Sequence, residues 1–281
     1  MADGSGRRRG LVALAYAACG IVVFLTVFTA TFPYTETINR MLNPAGLRLA
    51  SAAQKWNPPF GARFSNVSVV ARDGRVIAPL LESDRVTVVP SIVASLLGAS
   101  GVRVSAEAYG GVLNLRAREA GGATDLDFDA DSLRLDEYPL LNMNGGGVSG
   151  VVTAEGRADL SSRDLYANTA DLHAEIDGFE VTVVYGMPAI AFGRIAAVAT
   201  LKDGVLTLVK LNNAGGDVAL SAEGTVNISP EIAESEIDIR FTLAAQPGAP
   251  QHIKVLQSLL PPRPDHRPHM ITGTLRAPLL E

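Results

Sequence analysis

The chain has 281 residues, of which 47% are hydrophobic and 19% charged, so it holds enough apolar material for a folded core. Its net charge of −5 argues against nucleic-acid binding, because a phosphate backbone requires a basic surface. A single cysteine excludes an intrachain disulfide and any metal site built from several cysteines.

An uncharged stretch near the N-terminus predicts a transmembrane helix over residues 11–33. Arg9 is the last of three arginines before this stretch, and no charged residue follows until Glu36. As a helix, the segment Leu11–Phe32 is roughly 33 Å long, enough for a hydrocarbon core of about 30 Å. The anchor residues that we single out are Leu11, Val12, Ile21, Phe24, Leu25, Phe28 and Phe32.

A cleaved signal peptide is the alternative interpretation of this segment. Its apolar part is usually about 7–15 residues long and ends at a site with small side chains. Here the apolar stretch is longer, and its nearest such site, Phe28-Thr29-Ala30, carries a bulky phenylalanine. Cys19 follows Tyr16-Ala17-Ala18, which is only faintly like a lipoprotein cleavage site. The sequence therefore favours an uncleaved anchor.

The three arginines before the span predict its orientation. Basic flanks stay on the cytoplasmic side, so residues 1–10 are expected inside and residues 34–281 outside. The outer part, from Glu36 onward, carries 21 basic and 28 acidic residues.

The outer part of the chain is dominated by residues that alternate between apolar and polar. Ile237-Asp238-Ile239-Arg240-Phe241-Thr242-Leu243 does so without a break, which is typical of a strand with one buried and one solvated face. Asp73-Gly74 and Asp203-Gly204 predict tight hairpin turns. The strands predicted in this way are 102–108, 125–129, 133–136, 148–155, 176–184, 205–211, 218–228, 237–243 and 270–275.

Helices are few in this part of the chain. A short one is expected from Thr35, with Ile38, Met41 and Leu42 on one face. Pro90–Leu97 and Gln251–Leu260 also have apolar residues at helical spacing.

These elements predict a mainly β protein: an N-terminal transmembrane helix followed by a curled, mostly antiparallel sheet with two or three short helices. The helices are too few to cover the sheet, so we expect it to form an open barrel or a groove. Such a groove, lined by aliphatic residues, could hold an acyl chain; the alternative is a sheet that closes and packs normally. The predicted inner face comprises Val205, Val218, Leu220, Ile237, Ile239, Phe241 and Leu243.

Catalytic and metal-binding residues are not evident in the sequence. His173 lies in a predicted strand, without the neighbours of a catalytic triad. His266 and His269 have a spacing that metal ligands can use, but Pro264 and Pro268 disfavour the helix that would bring them together. We therefore predict a protein that is not an enzyme and has no cofactor or metal.

Four aspartates at alternate positions, from Asp125 to Asp131, could suggest calcium. They lack the glycine and terminal glutamate of a helix–loop–helix calcium site. Their alternation with Leu126, Phe128 and Ala130 predicts the solvated face of a strand instead.

Several short segments, in order along the chain, resemble the type II secretion system protein N family, GspN. The more distant resemblance is to AsmA-like proteins, which have similar strand repeats. The segments that carry the resemblance are Phe32-Pro33-Tyr34, Val88-Val89-Pro90-Ser91, Leu96-Leu97-Gly98, Asp203-Gly204-Val205-Leu206, Gly215-Gly216-Asp217 and Ile271-Thr272-Gly273-Thr274-Leu275 with Pro278.

The resemblance implies a single-pass protein of the bacterial inner membrane with its C-terminal domain, residues 34–281, in the periplasm. It implies a non-enzymatic accessory or scaffold component of type II secretion, with other secretion components and inner-membrane lipid as partners. The AsmA-like kinship implies the alternative, a lipid-binding or lipid-transfer module for phospholipid or lipid A-type acyl chains.

Overall fold

The structure of the protein is a computed structural model. It describes residue 27 and residues 34–42, 47–58, 61–71, 79, 81–91, 100–142, 147–161, 165–182, 188–229, 231–251, 253 and 268–280. The chain divides into two compact units, a first unit over Met1–Pro90 and a second unit over Ser91–Glu281.

The first unit contains one helix and three strands. These are α1 (Tyr34–Leu42), β1 (Leu47–Trp56), β2 (Ala62–Ala71) and β3 (Leu81–Pro90). The strands pair antiparallel in chain order. Phe64 is fully buried and lies opposite Val86 in the register of β2 and β3, so these side chains form the core of the unit. Helix α1 ends two residues before Pro44. Proline disfavours helical backbone in the residue that precedes it, which is consistent with this end.

The second unit is built from eleven described strands. Their bounds are β4 (Ser100–Ala108), β5 (Gly111–Ala120), β6 (Ala123–Arg134), β7 (Gly147–Ser161), β8 (Thr169–Thr182), β9 (Ile190–Lys202), β10 (Val205–Ala214), β11 (Val218–Asn227), β12 (Glu236–Ala245), β13 (His269–Thr274) and β14 (Pro278–Leu280).

Each strand of the second unit pairs antiparallel with its neighbours in the chain. Within the described residues β4 and β14 do not pair with each other, so this sheet is open rather than a closed barrel. The prediction of a mainly β protein with an open antiparallel sheet is confirmed. The strands from β4 to β14 place consecutive chain segments side by side, which is the simplest route for a chain of hairpins.

Tight turns with positive φ connect several of these strands. Asp203 and Gly204 have φ of 53° and 76°, the left-handed pair that a two-residue hairpin requires, as the sequence predicted. Tyr109-Gly110 and Gly121-Gly122 adopt the same conformation between β4 and β5 and between β5 and β6. These turns set the register by which neighbouring strands face each other.

One predicted strand is shorter than its alternation suggested. Residues 133–136 were expected to be extended, but β6 ends at Arg134 and Leu135–Glu137 forms a 3₁₀ turn. The guanidinium of Arg134 pairs with Asp136 at 2.7 Å and with Glu137 at 3.0 Å. The side-chain amide of Asn142 donates to the carbonyl of Leu135 at 3.1 Å. These local bonds compete with strand pairing and end β6.

Other 3₁₀ turns lie between strands of the second unit. They are Pro139–Asn142, Leu165–Ala167 and Ile232–Glu234.

The described residues include only some of the predicted helices. Helix α1 confirms the short helix expected from Thr35, and Gln251 and Ile253 have helical backbone. Residues 92–99 and 254–267 lie outside the described residues, as does the turn expected at Asp73-Gly74. Pro90 is the last residue of β3 and not the first of a helix.

All seven anchor residues, from Leu11 to Phe32, also lie outside the described residues. Within the part of the chain that the structure describes, no helix has both the length and the apolarity to cross a membrane.

Candidate functional site

The sheet of the second unit carries an apolar face that continues from strand to strand. Side chains that are directly opposite in an antiparallel pair point to the same side of the sheet. In β11 and β12, Leu220 lies opposite Leu243 and Val226 lies opposite Ile237. The same register argument can be followed through every pair from β4 to β14.

This register aligns apolar side chains in three rows that run across the strands; together they are called the apolar face below. The central row is Val104, Leu115, Phe128, Gly156, Leu172, Ala199, Leu208, Gly224, Ile239, Ile271 and Leu280. The second is Val102, Ala117, Leu126, Ala158, Ala170, Leu201, Leu206, Val226, Ile237, Gly273 and Pro278. The third is Ala106, Leu113, Ala130, Ala154, Ala174, Ala197, Leu211, Ala222, Phe241 and His269.

The apolar face is sheltered but not buried like a core. From β4 to β13 none of its residues is exposed, yet only Ala106 and Ala130, at 3% and 4% exposure, are fully buried. All the others are half-buried. Side chains of a closed core are mostly inaccessible to water, so this face retains apolar area that a ligand could cover.

The length of the rows follows from the spacing of strands. Adjacent strands lie about 4.8 Å apart, so a row from β4 to β14 extends over roughly 48 Å measured along the sheet. This exceeds the roughly 30 Å thickness of the hydrocarbon core of a bilayer.

Six of the seven residues predicted for an inner face do lie together. Val218 and Leu220 of β11 share the apolar side with residues of β12. The β12 members are Ile237, Ile239, Phe241 and Leu243. The alternation visible in the sequence therefore placed the side chains of these two strands correctly.

The prediction that Val205 belongs to the inner face is wrong, because Val205 lies on the opposite face of the sheet. The tight turn pairs it with Lys202, and across the next strand it faces Asn227. A bulge inserts Val209 between Leu208 and Lys210 relative to β9. Leu211 consequently joins the side of Leu208, whereas unbroken alternation would have grouped it with Val205.

Sequence reasoning missed much of the face contributed by β9. Its segment Ala196-Ala197-Val198-Ala199 is apolar on both sides, so no period of two marks its orientation. Pairing with β8 provides that orientation, since Ala197 lies opposite Ala174. In β5, by contrast, Leu113, Leu115 and Ala117 alternate with polar residues, and this alternation could have placed them on the apolar face.

Small residues shape the middle of the apolar face. The ring of Phe128 lies directly over Gly156 and leaves no room for a Cβ at that position. Gly156 belongs to Ala154-Glu155-Gly156, which β11 repeats as Ala222-Glu223-Gly224. Each segment lies within one continuous strand, with the alanine and glycine on the apolar side and the glutamate on the other.

The opposite face is charged. Arg194 pairs with Glu175 and lies 3.3 Å from Asp177, and all three side chains are exposed. The hydrogen bond to Glu175, reinforced by both negative charges, raises the pKa of Arg194. Hydrogen bonding to Asp136 and the nearby charge of Glu137 likewise raise the pKa of Arg134. Exposed pairs of this kind contribute little stability, so their main effect is to keep this face solvated.

Two carboxyl groups meet on this charged face. Asp125 and Asp159 lie opposite each other in β6 and β7. A hydrogen bond with Asp125 raises the pKa of Asp159, with smaller contributions from desolvation and from the charge of Asp125. The aspartates of β6 are exposed, which confirms the prediction of a solvated strand face.

The described histidines have different surroundings. His173 is exposed on the charged face, opposite Glu155. His269 is part of the apolar face and stacks on Phe241, with ring centroids 5.3 Å apart. Its Nδ1 is buried without a hydrogen-bond partner. Across the described ranges, no group of three or more potential metal ligands comes together, and His266 lies outside them.

Two open depressions are lined by residues of the charged face together with a few residues of the three rows. One is lined by residues that include Glu155, His173 and Glu175, and the other by residues that include Glu223 and Arg240. Ala174 and Ala197 of the third row also line the first depression, and Leu208 and Gly224 of the central row also line the second. Each depression spans at most four strands, whereas the rows extend from β4 to β13 or β14, so the apolar face remains the strongest candidate for a functional surface.

Comparison with known proteins adds no family assignment. No family model matches the chain, and neither does any curated protein or solved structure.

Proposed function

We propose that the second unit binds the acyl chains of lipids on its apolar face, as a non-enzymatic lipid-binding or lipid-transfer module attached to the inner membrane. The observation that carries this proposal is the continuity of the three rows. Two of them cross ten successive strand pairs and the third crosses nine, all without a charged side chain. An acyl chain is a flexible, purely apolar ligand, and a continuous aliphatic surface is its natural complement.

The chemistry of the face favours acyl chains over other apolar ligands. Its only aromatic rings in the three rows, apart from His269, are Phe128 and Phe241. Aliphatic side chains and glycines provide contact area without the ordered stacking that planar ligands use. The charged opposite face gives the sheet a solvated side, so apolar and polar surfaces are separated.

The N-terminal sequence indicates where the lipid would come from. The predicted anchor over residues 11–33 would hold the sheet close to a membrane, where phospholipid and lipid A-type molecules are present at high local concentration. A module tethered in this way needs only modest affinity for each acyl chain.

A membrane-derived lipid should therefore remain with the full chain when it is extracted in mild detergent. Native mass spectrometry would detect it as an added mass, and lipid extraction would identify it. Finding only detergent and no lipid on the unaltered chain would contradict the proposal.

Ala174→Trp tests whether the lipid lies on the apolar face. Ala174 is half-buried in the third row, between Ala154 and Ala197, so an indole there would occupy the surface. The matched control is His173→Trp, which adds the same ring to the charged face one residue earlier. We expect at least a several-fold loss of bound lipid in the first variant only. Equal lipid in both variants would place any binding elsewhere.

The resemblance to the type II secretion system protein N family supports a second proposal, in which the chain is an accessory or scaffold component of that machinery. The segments that resemble the family include Gly215-Gly216-Asp217, where Asp217 accepts a hydrogen bond from the amide of Ala191 at 3.3 Å. Lipid binding and a role in secretion are compatible, because both would place the chain at the inner membrane.

Deletion of the gene, followed by measurement of secreted exoproteins, tests this second proposal. Loss of secretion that the unaltered chain restores is expected, together with secretion components that co-purify with the tagged chain. Normal secretion and no co-purified component would reject it. If the Ala174→Trp variant restored secretion, the two proposed functions would be separable.

A further inference from the structure

The first unit exposes the only tryptophan of the chain at the end of β1. Trp56 is the last residue of that strand and is 43% exposed. It lies on the same side of the sheet as Ala62 and Phe64, which are fully buried. Tryptophan combines a large apolar ring with an N–H donor, and membrane proteins concentrate it where hydrocarbon meets water. An exposed indole at the end of a strand is therefore a candidate contact for a bilayer surface.

Two cations lie beside this tryptophan. Lys55 and Arg63 are directly opposite each other in the register of β1 and β2, and both are exposed. The guanidinium of Arg63 donates a hydrogen bond to Oδ1 of Asn57 at 3.2 Å, which holds it at this end of the strand pair. Like charges directly opposite each other in an antiparallel pair destabilise it. An anion bound between the two cations removes that cost, and a phosphate group accepts hydrogen bonds from both.

Helix α1 places this end of β1 near the predicted anchor. The hydroxyl of Thr35 donates a hydrogen bond to Oε1 of Gln54 at 3.1 Å. Thr35 follows the predicted end of the span by two residues, which is at most about 7 Å of chain. Trp56 follows Gln54 by two residues, again about 7 Å along the strand. Each headgroup layer of a bilayer is about 5–8 Å thick, so these short paths keep Trp56 close to that layer.

The start of β1 lies farther along α1. The side chain of Asn39, four residues after Thr35, exchanges hydrogen bonds with the N–H and C=O of Leu49. The helix therefore leads from the tryptophan end of β1 toward its start. Arg48 is also exposed there, about 23 Å along the strand from Lys55. The same strand thus offers a cation that is matched in exposure but remote from the tryptophan.

We propose that the first unit docks on the bilayer that holds the anchor through the end of β1 and β2. The indole of Trp56 lies among the lipid headgroups, and the side chains of Lys55 and Arg63 bind lipid phosphates. A lipid headgroup is favoured over free phosphate because the two cations adjoin an exposed apolar ring and the anchor brings a bilayer within reach. This inference rests on the predicted anchor and not on acyl-chain binding by the second unit.

Fluorescence of the full chain in lipid vesicles tests the contact, because Trp56 alone provides the tryptophan emission. The vesicles contain phosphatidylcholine and phosphatidylglycerol, with or without bromine atoms near the top of the acyl chains. Brominated lipid should quench the emission several-fold. In the control, Trp56→Phe combined with Ala50→Trp moves the tryptophan about 20 Å along the same side of β1, to an exposed position. Its emission should be quenched much less.

Charge reversal provides a second measurement in the same vesicles. Lys55→Glu combined with Arg63→Glu should lower the quenching of Trp56 several-fold, whereas Arg48→Glu should leave it unchanged. Equal quenching from positions 50 and 56, or equal effects of the two charge reversals, would overturn the inference.

Flotation of the vesicles separates failure of the docking from failure of the anchor. Chain that floats with the vesicles but shows no quenching by brominated lipid would overturn the docking alone. If acrylamide also failed to quench that emission, another part of the chain or a second copy would be what covers Trp56. Chain that does not float would overturn the anchor and the docking together. Lipid retained in native mass spectrometry bears only on the apolar face of the second unit.

Discussion

At the scale of single residues, the side of the sheet that a side chain occupies determines what a substitution costs. Phe241 and Thr242 are adjacent in β12, yet one is half-buried on the apolar face and the other is exposed on the charged face. Adjacent residues of a strand therefore lie in different environments, whereas residues two positions apart share one.

Phe241→Asp should destabilise the protein by several kcal/mol, because an unpaired charge is poorly solvated on a half-buried apolar face beside Ala222 and His269. Thr242→Asp is the control, since Thr242 is exposed and lies opposite Ser221. It should change stability by less than about 0.5 kcal/mol. Thermal unfolding of both variants measures the difference, and equal shifts would mean that the facing of β12 is wrong.

The raised pKa of Asp159 predicts that the stability of the protein depends on pH. Its pKa is raised in the folded chain, chiefly by the hydrogen bond with Asp125, above an unfolded value of about 3.9. The folded state therefore holds the proton more tightly, and this contribution to stability is full below pH 3.9 and lost as pH rises through the folded pKa. Asp159→Asn should unfold at a higher temperature than the unaltered chain at pH 7 and show a smaller advantage at pH 3.5. An equal rise in unfolding temperature at pH 7 and at pH 3.5 would show that the hydrogen bond between Asp159 and Asp125 does not make stability depend on pH.

At the scale of elements, single polar side chains determine where a strand ends and which backbone groups at a strand edge are bonded. Arg134 and Asn142 convert the end of β6 into a 3₁₀ turn, although its sequence still alternates. Asn39 of α1 bonds the outward N–H and C=O of Leu49 at the edge of β1. Neither effect follows from periodicity, because each depends on a polar side chain that reaches a backbone or charged group elsewhere in the chain.

Asn39→Ala should destabilise the docking of α1 on β1 by about 1–3 kcal/mol, since Leu49 is only 8% exposed and would lose partners for its N–H and C=O. Thr35→Ala in the same helix removes an exposed hydrogen bond to Gln54 and should cost less than about 0.5 kcal/mol. Hydrogen exchange at the Leu49 amide reports the difference directly. Unchanged protection of that amide in Asn39→Ala would show that α1 does not hold the edge.

At the scale of the whole molecule, the proposed function depends on attachment to a membrane. Residues 10–35 contain no charged side chain, so the N-terminal segment favours hydrocarbon over water. The sheet and the anchor would then act together, one providing apolar surface and the other proximity to lipid.

The full chain should remain in the membrane fraction after washing with alkaline carbonate and should retain its N-terminal residues in intact-mass measurements. Replacing Phe24 and Phe28 by Asp should release it or prevent its insertion, because each charge at the centre of a span costs about 2.5–3.5 kcal/mol. A mature chain that begins after about residue 30 would establish the signal-peptide alternative instead.

The mainly β class, and the side of the sheet on which residues of the regular strands lie, could be predicted from the order of residues alone. Alternation is a local property, so Val218 and Leu220 of β11 and the four residues of β12 could be placed on one face without knowing their neighbours. The turn at Asp203-Gly204 was likewise readable, because its left-handed backbone favours glycine.

How these strands combine depends on contacts between residues that are distant in sequence. Pairing aligned the apolar residues into continuous rows, oriented the uniformly apolar β9, and moved Val205 to the charged side through a tight turn and a bulge. Register joins residues that are distant in sequence, and one inserted residue reverses every side chain that follows. The composition of the apolar face was therefore present in the sequence, whereas its continuity depends on hydrogen bonds between strands.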